Sequence, residues 1–142
     1  MYKKITLVLI LGMVLMLAAC TGEGISGSAS GHGQKHFAND SGGTVEGDFN
    51  RIKGTYSSEY EISIFNDDFV NVDITVSVET GRLRVYLKDE DGDISDLVLN
   101  PGETGRLTGK AEVWFDESFN VYFEALDEEA EGITYSMVYT FE

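Results

Sequence analysis

The sequence predicts an all-β protein, an antiparallel β-sandwich of about seven strands with a jelly-roll-like layout. Three observations predict it. Apolar and polar residues alternate with a period of two through most of the chain after residue 43, as in strands that bury one face. Turn signals such as Thr80-Gly81 and Pro101-Gly102 separate the alternating segments. No segment carries a convincing amphipathic helix pattern, so two packed sheets are the expected architecture.

Residues 1–19 are predicted to be a lipoprotein signal peptide. Two lysines precede the apolar run 5–17, and Ala18 and Ala19 come directly before Cys20. This apolar run is too short to span a bilayer of about 30 Å, and it is typical of a secretory signal. Cys20, the single cysteine of the chain, resembles the lipobox cysteine of bacterial lipoproteins. The resemblance implies a diacylglyceryl group on Cys20 and an extracytoplasmic protein anchored to the bacterial cell membrane. A secreted protein with an incidental cysteine is the alternative.

The chain is strongly acidic, with 25 Asp and Glu against 10 Lys and Arg and a formal net charge of -15. Removal of the signal peptide takes away Lys3 and Lys4 but no acidic residue, which makes the remainder more acidic still. Such a surface repels nucleic acid and anionic lipid headgroups. A nucleic-acid partner is therefore not expected, and attachment to the membrane is assigned to the lipid alone. Cations, basic proteins and neutral glycans stay open as partners.

Residues 20–43 are predicted to be the lipidated cysteine and a flexible tether. Between residues 21 and 43 the chain has seven Gly and four Ser, and a segment with so few apolar residues cannot bury enough surface to order itself. His32 and His36 have the i, i+4 spacing of a helical metal pair, but the neighbouring glycines disfavour a helix. Solvated linker histidines are the expected outcome.

Residues 44–142 are predicted to form the β-sandwich domain. The clearest alternation lies in 70–79, and after Thr80-Gly81 it continues in 82–88, so these two strands are expected to form a hairpin that pairs Val78 with Leu83 and Asp73 with Lys88. The other predicted strands are 56–65, 94–99, 107–115, 119–126 and 133–141, with 44–54 as a possible edge strand.

A second hairpin is predicted around the loop 116–118. Its three-residue length would place Phe115 opposite Phe119 and Val113 opposite Val121. The run VNVDITVSVETGRLRVYLKDEDGDI, followed by LTGKAEVW, VYFEA and GITYSMVYTF, resembles the small β-sandwich modules of Gram-positive lipoproteins, which are similar in layout to PPC and GOLD domains. This resemblance implies a jelly-roll-like binding or accessory module.

Acidic residues concentrate in four loops between the predicted strands. If each strand reverses the direction of the one before it, three of these loops lie at one end of the sandwich, and the tether enters at the other end beside Thr80-Gly81. Carboxylate oxygens on loops suit Ca²⁺, which takes about six to eight oxygen ligands. The candidate calcium ligands are Asp67, Asp68, Asp89, Asp91, Asp93 and Asp116. A polar Asp-Gly turn explains the central residues without a metal.

Three aromatic residues on polar strand faces are the candidate ligand-binding residues: Tyr86, Trp114 and Tyr122. Flat rings beside hydrogen-bonding groups suit stacking on a sugar or contact with a protein partner. The alternative is that these rings cover the aliphatic stems of Lys and Arg, or are buried by another layer.

No catalytic residues are predicted. Residues 44–142 contain neither His nor Cys, which removes the commonest acid–base and nucleophilic groups from this domain unless the tether folds back onto it. Glu59 and Glu61 stand at i, i+2 and would share a solvent face rather than form a catalytic pair. The expected function is a lipid-anchored, non-catalytic binding or accessory module, with a cell-envelope protein or a glycan as partner. The alternative is a calcium-stabilised structural domain whose acidic loops recognise a cationic or basic partner. No cofactor is expected, and calcium is the alternative.

Overall fold

The computed structural model describes residues 27–62 and 68–141. All strand pairings are antiparallel, and no helix occurs in these ranges. The predicted all-β antiparallel class is confirmed. The strands are β1 (Gly27–Ser30), β2 (Gly33–Asn39), β3 (Gly42–Glu61), β4 (Phe69–Ser77), β5 (Leu83–Lys88), β6 (Ile94–Leu99), β7 (Thr104–Glu112), β8 (Ser118–Ala125) and β9 (Ala130–Thr140). The predicted signal peptide, Cys20 and Asp67 lie outside the described residues. Within the described ranges there is no helix with the length and apolarity to cross a membrane.

The strands form two layers that share β3, in the order β6-β5-β8-β3-β9-β4-β7. The first part of β3 pairs with β9, and its last part, from Thr55 onward, pairs with β8. Gly54 stands between the two parts with a φ of 63°, a conformation that glycine adopts easily. The far edges of the sheet also approach each other, because Leu97 and Leu99 of β6 pack over Gly105 of β7. The result is a nearly closed sandwich.

The core lies between the two layers and follows the period-two pattern. In β4, Val70, Val72, Ile74 and Val76 are all buried, while the residues between them face outward. Large aromatic rings fill the centre, for example Phe49 of β3 and Phe123 of β8, whose ring centroids lie 5.1 Å apart. Burial of these side chains is the main source of stability in the described part of the chain.

The predicted hairpin between β4 and β5 is wrong. β4 pairs with β7 and β9, whereas β5 pairs with β6 and β8, so the chain crosses from one layer to the other at Thr80-Gly81. Asp73 contacts Arg106 rather than Lys88. The alternation could not reveal this, because two strands facing each other across a core have the same pattern as two strands side by side.

The predicted hairpin between β7 and β8 is also wrong. β7 pairs with β4, while β8 pairs with β3 and β5. Only an isolated bridge, Val113 with Phe119, joins the two segments. Phe115, which was expected opposite Phe119, therefore lies in the turn and is fully exposed.

Residues 27–39, expected as part of the tether, form β1 and β2 along one edge of β3. A tight turn at Asp40-Ser41 joins β2 to β3, and the Asn39 side chain accepts hydrogen bonds from the Ser41 amide and hydroxyl. The composition of 27–39 does not indicate strands, because the residues that pair with β1 and β2 and contact their side chains lie elsewhere in the sequence. β3 supplies the backbone hydrogen bonds, and aromatic residues of β3 and β9 supply the side-chain contacts.

Candidate functional site

Three loops meet at one end of the sandwich, as the sequence predicted. Asp68, Glu90 and Glu112 line one surface pocket together with residues 113–115, and the Val113 amide donates a hydrogen bond of 2.9 Å to the Asp68 carbonyl. We call this end, formed by Asp68 and the segments 89–93 and 112–118, the distal end.

The opposite end, which we call the proximal end, contains the Thr80-Gly81 crossing. The Thr80 amide donates to the Glu131 carbonyl, and a Cβ added at Gly81 would overlap the Glu129 carbonyl oxygen. β1 begins here, with Gly27 opposite Gly54 at the corner of β3. The described chain therefore starts at the end of the sandwich away from the three loops.

Two adjacent exposed aromatic side chains lie in the turn between β7 and β8. Phe115 has a relative exposure of 103% and Trp114 one of 45%. The turn is well fixed, because the Trp114 amide donates to the Ser118 carbonyl at 2.8 Å and the Glu117 amide donates to the Trp114 carbonyl at 3.0 Å. Glu117 has a φ of 60°, which is uncommon for a residue with a side chain. We call residues 114–118 the aromatic turn.

The sequence singled out Trp114 but missed Phe115. The expected pairing of Phe115 with Phe119 assigned it to a buried face, whereas the strand pairing ends at Glu112. Adjacent aromatic residues are not a turn signal, since Tyr122 and Phe123 are adjacent within the regular strand β8. The local sequence therefore carried no sign that Phe115 is exposed.

The other two aromatic candidates, Tyr86 and Tyr122, are direct neighbours on β5 and β8. Their rings are parallel, with centroids 4.8 Å apart, and the Lys88 ammonium lies 4.8 Å from the Tyr122 centroid. Arg84 packs over the other ring. Tyr122 is only 7% exposed, and burial raises the pKa of both phenols. These contacts favour a structural role for the pair, and in the described ranges Trp114 makes no ring contact with either tyrosine.

The predicted calcium ligands are not arranged around a common point in the described part of the chain. Asp89 Oδ1 accepts hydrogen bonds of 2.9 Å from the amides of Asp91 and Asp93, and Asp116 accepts one from the Ser118 hydroxyl. In residues 27–62 and 68–141, no group of three or more His, Cys, Asp or Glu is placed to hold a metal ion. The hydrogen bonds of Asp89 are those of the polar turn that the sequence offered as the alternative.

Both histidines pack against the sandwich instead of lying in a solvated linker. His36 Nε2 is 2.7 Å from the Tyr139 hydroxyl, and the His32 ring stacks on Phe49 with centroids 4.4 Å apart. His32 Nε2 is also 3.4 Å from the Tyr135 hydroxyl. Burial lowers the pKa of His36, and the Glu61 carboxylate opposes this shift.

Two tyrosine rings of β9 lie over glycines of β3 and contact these histidines. Gly43 and Gly47 of β3 are paired with Tyr139 and Tyr135 of β9, and a Cβ at either glycine would overlap the hydroxyl of its paired tyrosine. The i, i+4 spacing of His32 and His36 thus recurs in the glycines and in the tyrosines. This shared spacing was a signal in the sequence, although the sequence does not show that the three segments are neighbours.

The outer face of β2, β3, β9, β4 and β7 carries a shallow groove lined mainly by polar residues. Its hydroxyl groups come from Thr75, Ser77, Thr104, Thr134 and Ser136. Ser77 and Thr134 are hydrogen-bonded to each other at 2.6 Å, so part of this hydroxyl surface is already satisfied within the protein.

No family model and no curated protein matches the sequence. Among solved structures, an HTH_3 family transcriptional regulator from Vibrio cholerae aligns with a TM-score of 0.33 and 11% identity, over 70% of this chain and 43% of that one. KdgF from Halomonas sp. aligns with a TM-score of 0.35 and 16% identity, over 79% and 81% of the two chains. The Drosophila melanogaster CENP-C cupin domain aligns with a TM-score of 0.34 and 12% identity, over 74% of this chain and 70% of that one. At these values the likeness carries no argument about function.

Proposed function

We propose that this protein is a lipid-anchored, extracytoplasmic, non-catalytic binding or accessory module that holds its partner at the distal end. One observation carries the proposal. The aromatic turn exposes Trp114 and Phe115 at the end of the sandwich opposite the start of β1. A chain anchored ahead of β1 would therefore present the aromatic turn away from its attachment.

The energetics of the aromatic turn support binding. Burying a Phe side chain contributes about 1.5–3 kcal/mol, and aromatic residues are enriched among the residues that dominate interfaces. The hydrogen bonds of the turn hold its backbone in place, so little ordering entropy opposes association. A fixed, exposed aromatic pair is thus well suited to fill a pocket of a partner.

The anchor is assigned to Cys20. One acyl chain gives only reversible membrane binding, whereas two chains give stable attachment, and a diacylglyceryl group supplies two. The acidic surface gives no help, since anionic headgroups repel it. Anchoring is therefore expected to depend entirely on Cys20.

The surroundings of His36, Glu59 and Glu61 favour a non-catalytic role. His36 Nε2 is occupied by the Tyr139 hydroxyl, and the groups next to it are aromatic rings rather than a nucleophile. Glu59 and Glu61 lie at alternate positions of β3 with exposed side chains, so they share a solvent face as the sequence predicted.

Photo-cross-linking in native membranes tests the proposal. A photoreactive phenylalanine analogue is placed at position 115 of the intact lipoprotein, and in a matched control at position 37, because Phe37 is also an exposed phenylalanine but lies on β2. We expect a defined adduct from position 115, absent from position 37 and lost in Cys20→Ala cells. Equal labelling from both positions, or none, would contradict the proposal.

A further inference from the structure

The aromatic turn is flanked by carboxylates on both sides. Asp68, Glu90 and Glu112 line the pocket on one side of it, and Glu59 and Asp116 line the pocket on the other side. All five side chains reach solvent. The exposed apolar surface of Trp114 and Phe115 thus lies inside an acidic rim.

Cations elsewhere in the structure neutralise other acids and leave this rim without ion pairs. At the proximal end, Arg51 pairs with Glu129 and Glu131, and Arg82 pairs with Asp127. The two remaining arginines of the chain, Arg84 and Arg106, pair with acids on the outer strand faces.

Within residues 27–62 and 68–141, no salt bridge reaches any of the five rim carboxylates. The neighbouring segment 63–67 contains no Lys or Arg. The lysine nearest in sequence to the turn, Lys110, lies over the Phe69 ring, with its ammonium 3.9 Å from the centroid. Lys88, next to the segment 89–93, lies over the Tyr122 ring at 4.8 Å from its centroid, so neither of these two lysines forms an ion pair with the rim.

We infer that the distal end docks onto a basic protein surface, with Trp114 and Phe115 in an apolar pocket and the rim carboxylates facing Lys or Arg side chains around it. The inference rests on the proposed function and adds the chemistry of the partner. A desolvated aromatic centre with a charged rim is the usual anatomy of a specific interface. The rim charges speed association and select a cationic partner.

Charge also separates this partner from the other possible occupants. An anionic membrane would repel the rim as the aromatic side chains approached it. A second copy of the chain would bring acidic rim against acidic rim, at a formal net charge of -15 for each copy. A basic protein is the occupant for which both the apolar centre and the acidic rim are favourable.

The test combines the position-115 cross-link with two sets of neutral variants. The first set removes rim charge with Asp68→Asn, Glu90→Gln and Glu112→Gln. The second set, Glu46→Gln, Asp48→Asn and Glu128→Gln, removes the same charge from exposed positions away from the aromatic turn. Adduct yield is measured for each at low and high salt, and circular dichroism checks that each variant is folded.

We expect the adduct to contain a protein with a basic surface around the cross-linked site. Rim neutralisation should lower its yield roughly tenfold, as should high salt, because both weaken the attraction between the rim carboxylates and the partner's cations. The control set should have little effect. A protein adduct that ignores both salt and rim charge would overturn the inference while leaving the proposed function intact.

An adduct with lipid, or with a second copy of this chain, would also overturn the inference. No specific adduct from position 115 would remove the proposed function together with the inference. Vesicles of phosphatidylcholine and phosphatidylglycerol provide the matching membrane measurement. We expect no increase in Trp114 fluorescence on mixing with them, because the acidic rim keeps the ring out of an anionic bilayer.

Discussion

His36 Nε2 and the Tyr139 hydroxyl are hydrogen-bonded at 2.7 Å, which joins β2 to β9 across the glycines of β3. The Tyr60 ring meets His36 edge-on at 6.3 Å, and the Glu61 carboxylate is the charged group that acts on it. The imidazole of His36, partly withdrawn from water, thus adds a side-chain contact to the backbone pairing that holds β2 on β3.

This contact predicts a pH dependence of stability. Burial lowers the pKa of His36 in the folded chain, so folding favours the neutral imidazole. The contribution is fully present above the unfolded pKa of about 6.5 and is lost as pH falls through the lower folded pKa. The protection factors of the amides in 33–39, which correct for the intrinsic pH dependence of exchange, should therefore fall from neutral to mildly acidic pH. His36→Gln should flatten this dependence, and an unchanged profile in that variant would contradict the assignment.

A side chain at Gly47 should destabilise the protein. A Cβ there would overlap the Tyr135 hydroxyl, and displacing that buried ring costs about 1–3 kcal/mol. Gly47→Ala should lower the midpoint of chemical denaturation accordingly. Combining it with Tyr135→Leu, which removes the overlapping hydroxyl, should produce less than the sum of the two single effects. Strict additivity would show that the ring and the glycine do not interact.

Two phenylalanines should give opposite results on truncation. Phe123 is fully buried against Phe49 and Tyr135, so Phe123→Ala should cost about 3–5 kcal/mol of unfolding free energy. Phe115 is fully exposed, and Phe115→Ala should change stability by no more than about 0.5 kcal/mol while weakening binding of the partner that the position-115 cross-link identifies. Denaturant titration of both variants measures the contrast. A large loss of stability from Phe115→Ala would refute its assignment to a solvent-exposed turn.

Calcium should leave the melting temperature unchanged. Asp89 already accepts hydrogen bonds from the amides of Asp91 and Asp93, which accounts for its position without a metal. Asp89→Ala should cost about 0.5–2 kcal/mol in calcium-free buffer, as for the loss of a capping carboxylate, whereas Asp91→Ala should cost less because its carboxylate is exposed. A calcium-dependent rise in melting temperature that disappears in Asp89→Ala would instead establish the metal site.

The sequence predicts strands well and their partners poorly, and β4 shows why. The alternation from Val70 to Val76 follows from burial of one face, which is a local property. Whether the next strand lies beside β4 or across the core depends on contacts far along the chain, such as Ser77 with Thr104 and Thr134. The alternation of apolar and polar residues is the same in both arrangements. It therefore predicted a hairpin at Thr80-Gly81 that the structure does not form.

The sequence also predicted the candidate site only in part. The clustering of three acidic loops at one end followed from reversing direction at each strand, and Trp114 followed from its residue type. Phe115 did not, because its exposure depends on where the pairing of β7 with β4 ends. β1 and β2 were missed because the groups that stabilise them, among them Phe49 and Tyr139, belong to other strands.

Because β1 and β2 pair with β3, the segment that would link the folded domain to an anchor is shorter than predicted. For a chain anchored at Cys20, only residues 21–26 remain between the lipid and β1, a contour of about 25 Å at most. β9 spans 11 residues, which gives the sandwich a height of roughly 35 Å between its two ends. The aromatic turn would then stay within about 60 Å of the lipid headgroups. Its effective concentration would be highest for proteins of the same membrane and low for those deeper in the envelope.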